Sequence, residues 1–359
     1  MTPRDRFCRL MTYQSVDRVP AMQVEPFEQP AIEQWRKEGL PADQSPQTFL
    51  GIESVNFVPG AGVCPDPPFE IKILAEDSES RTETTYMGAV VRRLNVSPTT
   101  FYGHVDHPIK TRDDWRAYRE RLRPNTPRRM RTDLTVDAIR AFNESEEPVG
   151  LTFFPFFFRL GFYTMGMEQF LTAFHDDPDM IHEMFAAAAD LVTHALRPIL
   201  GTIRIDFAYF VEDIGFKNGP LVSPQTYAEF WAPHQGPLLD LLRSHGVPVI
   251  AHWSAGNIEK LLPEIIRQGF NCIGPLERMA GMDPIDLRQR HGPQLRLMGG
   301  LSKEALLAGP AAIDSEIQRL TPLIRQGGFI PMLDDMVPSE CPLAHYRHLI
   351  ETLKTIRLD

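Results

Sequence analysis

The sequence predicts an α/β protein folded as a (β/α)8 barrel, the TIM-barrel architecture, on three observations. Beyond residue 145, short apolar runs alternate with longer helical segments, which implies parallel strands joined by helical crossovers. Seven strand-like runs are visible, an eighth has room in the irregular first third, and a single late helix closes the chain. No glycine-rich dinucleotide fingerprint follows any strand, which weighs against an open doubly wound sheet.

Residues 4–11 have the pattern of a helix leading to Asp17-Arg18-Val19-Pro20. The apolar run 19–24 ends at Glu25 and fits a first buried strand. Residues 31–38 carry helical signals before Gly39, and 59–69 form a proline-rich loop. Segments 70–75 and 81–94 flank the turn-rich stretch 76–80 and predict an antiparallel hairpin. A helix follows at 113–121, then a basic, proline-bearing stretch in which Arg-Arg-Met-Arg at 128–131 is expected to be a solvated face. The regular part places strands at 149–154, 205–211, 247–251, 270–274, 295–298 and 329–333. Helices are expected at 167–174, 178–200, 224–245, 258–268, 284–289, 311–325 and 342–358. The expected organisation is one barrel domain, 1–359, with an N-terminal β-hairpin and helical excursion over 60–145.

Composition narrows the function classes. The formal charge of −10 opposes nucleic acid as a main partner, because phosphate binding needs basic surface, and it opposes anionic membranes too. No stretch reaches the roughly 18 apolar residues of a membrane span. The first 20 residues lack the apolar core of a signal peptide, so a cytoplasmic location is expected. Cys8, Cys64, Cys272 and Cys341 lie far apart and form no CxxC pair, which suits free thiols.

In a barrel the chemistry sits where strands end and loops begin. The polar residues at those points are Glu25, Glu212-Asp213, His252-Trp253-Ser254, Glu277 and Asp334-Asp335. One member of each adjacent carboxylate pair should face the axis, because neighbouring strand residues point opposite ways. A histidine with several carboxylates can bind zinc or another divalent ion, or can serve as an acid/base site without metal. Each group singly can also be a structural cap or ion-pair partner. The run Phe153-Phe154-Pro155-Phe156-Phe157-Phe158 either packs the core or walls the mouth for an aromatic substrate, with Tyr209 and Phe210 extending those walls. Arg159 suits a carboxylate or phosphate.

These residues resemble the uroporphyrinogen decarboxylase superfamily, a (β/α)8 barrel fold. The resemblance spans nearly the whole chain and is carried by Asp17-Arg18-Val19-Pro20, EDIGFKNGPLVSPQTYAEFWAPH (212–234), AHWSAGNIEKLLPEIIRQGFNCIGPLE (251–277), LMGGLSKEALLAG (297–309) and GGFIPMLDDMVPSECP (327–342). The true decarboxylase has an N-terminal signature, broadly RPPVWxMRQAGR, whose arginines grip substrate carboxylates; here the segment is DRVPAMQVE, without them. The Glu-Asp pair at 212–213 and Ser-Pro at 223–224 resemble the cobalamin-dependent methyltransferase branch instead. Its thiol-methylating members bind zinc through His-x-Cys and a distant Cys. Those positions fall on His252, Ser254 and the neighbourhood of Asp335, so the histidine is kept and both thiolates are absent.

The resemblance therefore implies a harder Zn²⁺ site of His252, Glu277 and Asp335, suited to polarising an ether oxygen or assisting a nitrogen methyl acceptor. It implies Glu212 and Asp213 as catalytic acids. Glu25, Phe154, Phe156, Arg159, Tyr209, Ser254 and Asp334 are the expected substrate contacts. The expected reaction moves a methyl group between a small methoxylated compound or reduced folate and a corrinoid. No DxHxxG sequence is present, so the cobalamin is expected on a separate corrinoid protein docked over the mouth. A homodimer is left open. The alternatives are a decarboxylase of uroporphyrinogen or another acidic substrate, and a non-catalytic binding protein on a barrel scaffold.

Overall fold

A computed structural model of the chain describes residues 1–60, 62–95, 103–129 and 133–358. After the short β1 (Asn56–Val58), the chain leaves the barrel for an antiparallel meander of β2 (Ile73–Glu76), β3 (Ser80–Thr84), β4 (Val90–Leu94) and β5 (Gly103–Asp106). It returns with β6 (Val149–Phe153) and β7 (Phe207–Val211), makes a small hairpin of β8 (Gly215–Phe216) and β9 (Gly219–Pro220), and continues through β10 (Val249–Trp253), β11 (Cys272–Gly274), β12 (Arg296–Leu301) and β13 (Phe329–Leu333). The main sheet has the order β1-β6-β7-β10-β11-β12-β13, parallel throughout, which is the succession of a barrel wall.

β1 supplies the strand that the irregular first third conceals. The predicted first strand, 19–24, is extended beside it but joins by one parallel bridge, Met22 to Glu53, and the Glu53 N–H to the Ala21 carbonyl at 2.8 Å. Pro20 and Pro26 bracket this segment and have no N–H to give a ladder. The barrel interior holds alternate residues: Met22, Val24, Phe207, Tyr209, Val249, Ala251, Trp253, Cys272, Met298, Ile330 and Met332. The first helix, Pro3–Met11, closes the N-terminal end with Phe7, Leu10 and Met11. The opposite parity, including Phe153, Phe210, Ile250, Ile273 and Leu333, packs under the surrounding helices.

Several expected elements are subdivided. The 81–94 segment is two strands, because the chain turns at 85–89 with Gly88 at φ 90°. The 224–245 helix is two helices, Pro224–Phe230 and Ala232–Ser244, and Pro310–Arg325 is preceded by a separate Lys303–Ala308 helix ended by Gly309. Helix Pro178–Leu200 has the expected bounds, set by Pro178 in its first turn and by Asp177, whose carboxylate accepts the Met180 N–H at 3.2 Å. Of the basic stretch 128–131, Arg129 does not form a solvated face: it donates to the carbonyls of Cys64 and Arg121 at 2.6 and 2.8 Å. Residues 130–131 lie outside the described residues. No helix among the described residues is long and apolar enough to cross a membrane.

Candidate functional site

A cavity of about 630 Å³ opens where the strands end. Its floor is made of inward residues near the strand ends, Thr152, Tyr209, Val211 and Trp253. Glu25, Pro26 and Met336 line it as well. Phe154, Arg159, Phe162 and Tyr163 come from the loop after β6 and from helix Phe157–Met165. The meander reaches over the mouth and contributes His104 from β5. A more open cleft of about 760 Å³ lies at the other end of the barrel, where its carboxylate Asp206 is neutralised by Arg4 at 2.8 Å. Barrel chemistry belongs to the strands' C-terminal ends, which favours the first cavity.

Glu25 ends the first extended segment. Its Oε1 accepts the Trp253 indole N–H at 2.8 Å, while its Oε2 is buried without a partner. Burial pushes this carboxyl up to about 7, with Asp335 adding to the rise and the Trp253 hydrogen bond and Lys303 opposing it. Glu25 therefore exchanges a proton near neutral pH.

In the same lining, Arg159 forms an ion pair with Asp213 and donates from Nη1 to the Tyr163 hydroxyl at 3.0 Å. Its guanidinium carbon lies 5.8 Å from the Phe154 ring centre and 5.5 Å from that of Tyr163, within cation–π range. Asp213 sits at φ 48°, a left-handed conformation that Asp tolerates better than most residues, and its Oδ1 accepts the Ala255 N–H at 3.0 Å. The His104 Nδ1 lies 3.1 Å from the His107 Nε2, and the two rings stack 5.1 Å apart. Burial pushes His104 down to about 4, so it is neutral at physiological pH. Burial also pushes the Tyr209 hydroxyl up to about 12, against a hydrogen bond with Thr152.

Of the expected site residues, Glu25, Asp213, Phe154, Arg159 and Tyr209 line this cavity together. The others stand elsewhere. Glu212 has the outward parity: its Oε2 accepts the Phe158 N–H at 2.7 Å and its Oε1 the Trp231 indole N–H at 2.8 Å, in full burial. It is a helix-terminus acceptor and does not open onto the mouth. Phe156 is core, its ring centre 4.1 Å from that of Phe157. Ser254 is buried, donates to the Ala255 carbonyl at 2.9 Å and accepts the Gly215 N–H at 3.1 Å.

The expected zinc ligands are not gathered. His252 faces outward between Tyr227 and Phe270, with ring centres 6.0 and 5.3 Å away; both ring nitrogens are buried without partners, and burial pushes it down to about 3. Glu277 accepts the Gly256 N–H at 2.7 Å. Asp335 pairs with the Lys303 ammonium at 2.9 Å, and Asp334 accepts the N–H groups of Arg278 and Lys303 at 3.0 and 3.2 Å. Among the described residues, no group of three or more His, Cys, Asp or Glu is close enough to hold a metal ion. These residues do not fit the zinc shell the sequence suggested. Alternation along β10 is the reason, since it turns Trp253 into the barrel and His252 away from it.

A test follows from the two unpartnered nitrogens. His252→Leu removes buried, unsatisfied polar atoms at similar volume, so its urea midpoint is expected to match or exceed that of the parent. A loss above about 2 kcal/mol would instead mean that a bound group engages the imidazole.

Phe162, Tyr163, His104 and Met336 escaped the sequence reading. The first two share a helical face with Arg159, three and four residues on, which is the one local signal for them. His104 arrives by long-range folding of the meander.

Three comparisons bear on this site. A family model described as "Uroporphyrinogen decarboxylase (URO-D)" matches residues 92–356. A uroporphyrinogen decarboxylase from Rhodococcus jostii (strain RHA1) is 29% identical over 155 residues, 43% of this chain and 41% of that protein's length, so the match spans less than half of either. A solved structure, a methyltransferase from Methanosarcina mazei, superposes with a TM-score of 0.58 at 15% identity, over 98% of each chain, which is a likeness of fold.

Proposed function

The chain belongs to the uroporphyrinogen decarboxylase family, and we propose that within it the protein is a methyltransferase that passes a methyl group from a small methoxylated compound to a corrinoid on a separate protein. The observation that carries this is Glu25, a carboxyl whose proton is available near neutral pH, set in an aromatic-walled cavity.

An ether oxygen leaves poorly as an alkoxide or phenoxide and needs a proton as it departs. Glu25 gives that proton to the oxygen. The O–CH₃ bond breaks, its electron pair stays on oxygen, and the methyl carbon accepts the pair of the reduced cobalt. Water reprotonates Glu25 afterwards. Asp213, held by Arg159 and the Ala255 N–H, shapes the wall. No step is routed through a metal, because His252, Glu277 and Asp335 stand apart. The cavity's aromatic lining, Phe154, Phe162, Tyr163, Tyr209 and Trp253, suits a flat ring. Among the described residues its lining holds one arginine, already paired with Asp213, which is a poor match to a polycarboxylate such as uroporphyrinogen.

Mixing the protein with a reduced corrinoid protein and a panel of methoxylated compounds is expected to give the methyl–cobalt absorbance with at least one of them. Release of CO₂ from uroporphyrinogen, with no corrinoid response to any compound, would establish the decarboxylase instead.

A further inference from the structure

The antiparallel meander and the helix that follows it carry charge of opposite sign at opposite ends. The turn between β2 and β3 is one end. Glu76, Asp77 and Glu79 fall within four residues there, and the chain is exposed at every position from 70 to 79. The turn between β3 and β4, at 85–89, is the other end. Helix Arg112–Arg119 packs on it: the Tyr118 hydroxyl donates to the Met87 carbonyl at 3.2 Å, and the Tyr118 ring stacks on Phe69 at 5.7 Å. Residues 110–131 hold nine Lys or Arg against three Asp or Glu, in a chain whose formal charge is −10. Arg116, Arg119 and Arg123 of this stretch are exposed. Along the sheet stand five large apolar side chains, each more than half exposed: Ile71, Ile73 and Leu74 on or beside β2, Leu94 on β4 and Val105 on β5. Exposed apolar side chains gathered on one small sheet mark a surface that another body covers.

We propose that the meander is a dimer interface, on which a second copy of this chain seats about a two-fold axis, with the acidic turn of each copy on the basic helix of the other. A two-fold axis makes one patch face itself. A patch that is acidic at one end and basic at the other complements itself when the two copies run in opposite directions. A foreign acidic partner would match the basic helix and leave the acidic turn opposed by like charge, whereas a second copy matches both ends. The apolar side chains then lie between two charged contacts and supply the affinity. Exposed ion pairs are worth little singly, so the charged ends act mainly to fix direction and register. β5 belongs to the same sheet and brings His104 to the cavity, so the second copy also braces one wall of the site.

Sedimentation equilibrium of the full chain at low salt, from about 1 to 100 µM, tests this. The parent is expected to pass from monomer to dimer over that range and to shift back toward monomer as salt is raised. Arg116→Glu with Arg119→Glu reverses one end, and Glu76→Lys with Glu79→Lys reverses the other. Each of these double variants alone meets like charge at both contacts, so its dissociation constant is expected to rise about tenfold or more. An equimolar mixture of the two is expected to recover the dimer, because both contacts of the mixed pair then join opposite charges. A misfolded variant could not recover in this way. A parent that stays monomeric throughout, a dimer indifferent to both reversals, or a mixture as weakly associated as its parts would each overturn the assignment.

Discussion

Glu25→Gln is expected to slow methyl transfer from a simple ether by about 10²–10⁴-fold, the span that one positioned general acid contributes. Glutamine keeps the size and can still accept the Trp253 indole N–H, so ligand affinity should change little. The loss belongs in kcat. The pH profile gives a second readout. The acid works only when protonated, and burial holds its proton up to about 7. The parent's kcat should be flat below that value and fall above it, about tenfold per pH unit, and the Gln variant should lack this limb. Leaving-group acidity gives a third. Ethers of more acidic phenols need less help, so the gap between parent and variant should narrow with them. A constant gap would mean that Glu25 positions the ligand and does not give it a proton. Stability should move with the same group. A carboxyl raised from 4.5 to about 7 favours the fold fully below the unfolded value, and that favour is lost as pH rises through about 7. The Gln variant should show a flatter stability profile across this window.

The barrel was legible because its wall is a series of short, largely apolar runs set between helices, and 329–333 even has its observed bounds. β1 was not legible, since three residues carry no period. The site was half legible for one physical reason. The strand ends mark where chemistry gathers, but a shift of one residue reverses the face on which a side chain lies. Glu212 and Asp213 are neighbours, yet Asp213 lines the cavity while Glu212 is sealed in the wall. His252 and Trp253 divide the same way, and the expected zinc set was lost with that division. The Phe153–Phe158 run splits too, with Phe154 at the mouth and Phe156 in the core. Local pattern names the address, and the register decides which residue occupies it. His104 had no local signal at all, because its place depends on how the meander folds over the mouth.

Glu212→Ala is expected to cost about 3–5 kcal/mol of stability, read as a fall in the urea midpoint, without a matching loss of activity per folded molecule. The carboxylate joins two elements: the Phe158 N–H near the start of helix Phe157–Met165 and the Trp231 indole between two later helices. Alanine strands both donors in a site with no solvent and leaves a void of side-chain size. Glu212→Gln keeps one acceptor but turns an NH₂ toward an N–H donor, so its cost should be about 1–3 kcal/mol. The alkaline side separates the two roles further. Burial raises the Glu212 carboxyl from 4.5 to about 8, so its favour to the fold is complete below the lower value and disappears as pH passes the upper one. The Gln variant should therefore lose less stability than the parent between neutral pH and pH 9. An acid that touched substrate would behave otherwise, with a normal urea midpoint and a collapsed kcat. The contrast between Glu212→Ala and Glu25→Gln therefore separates the wall of this barrel from its chemistry.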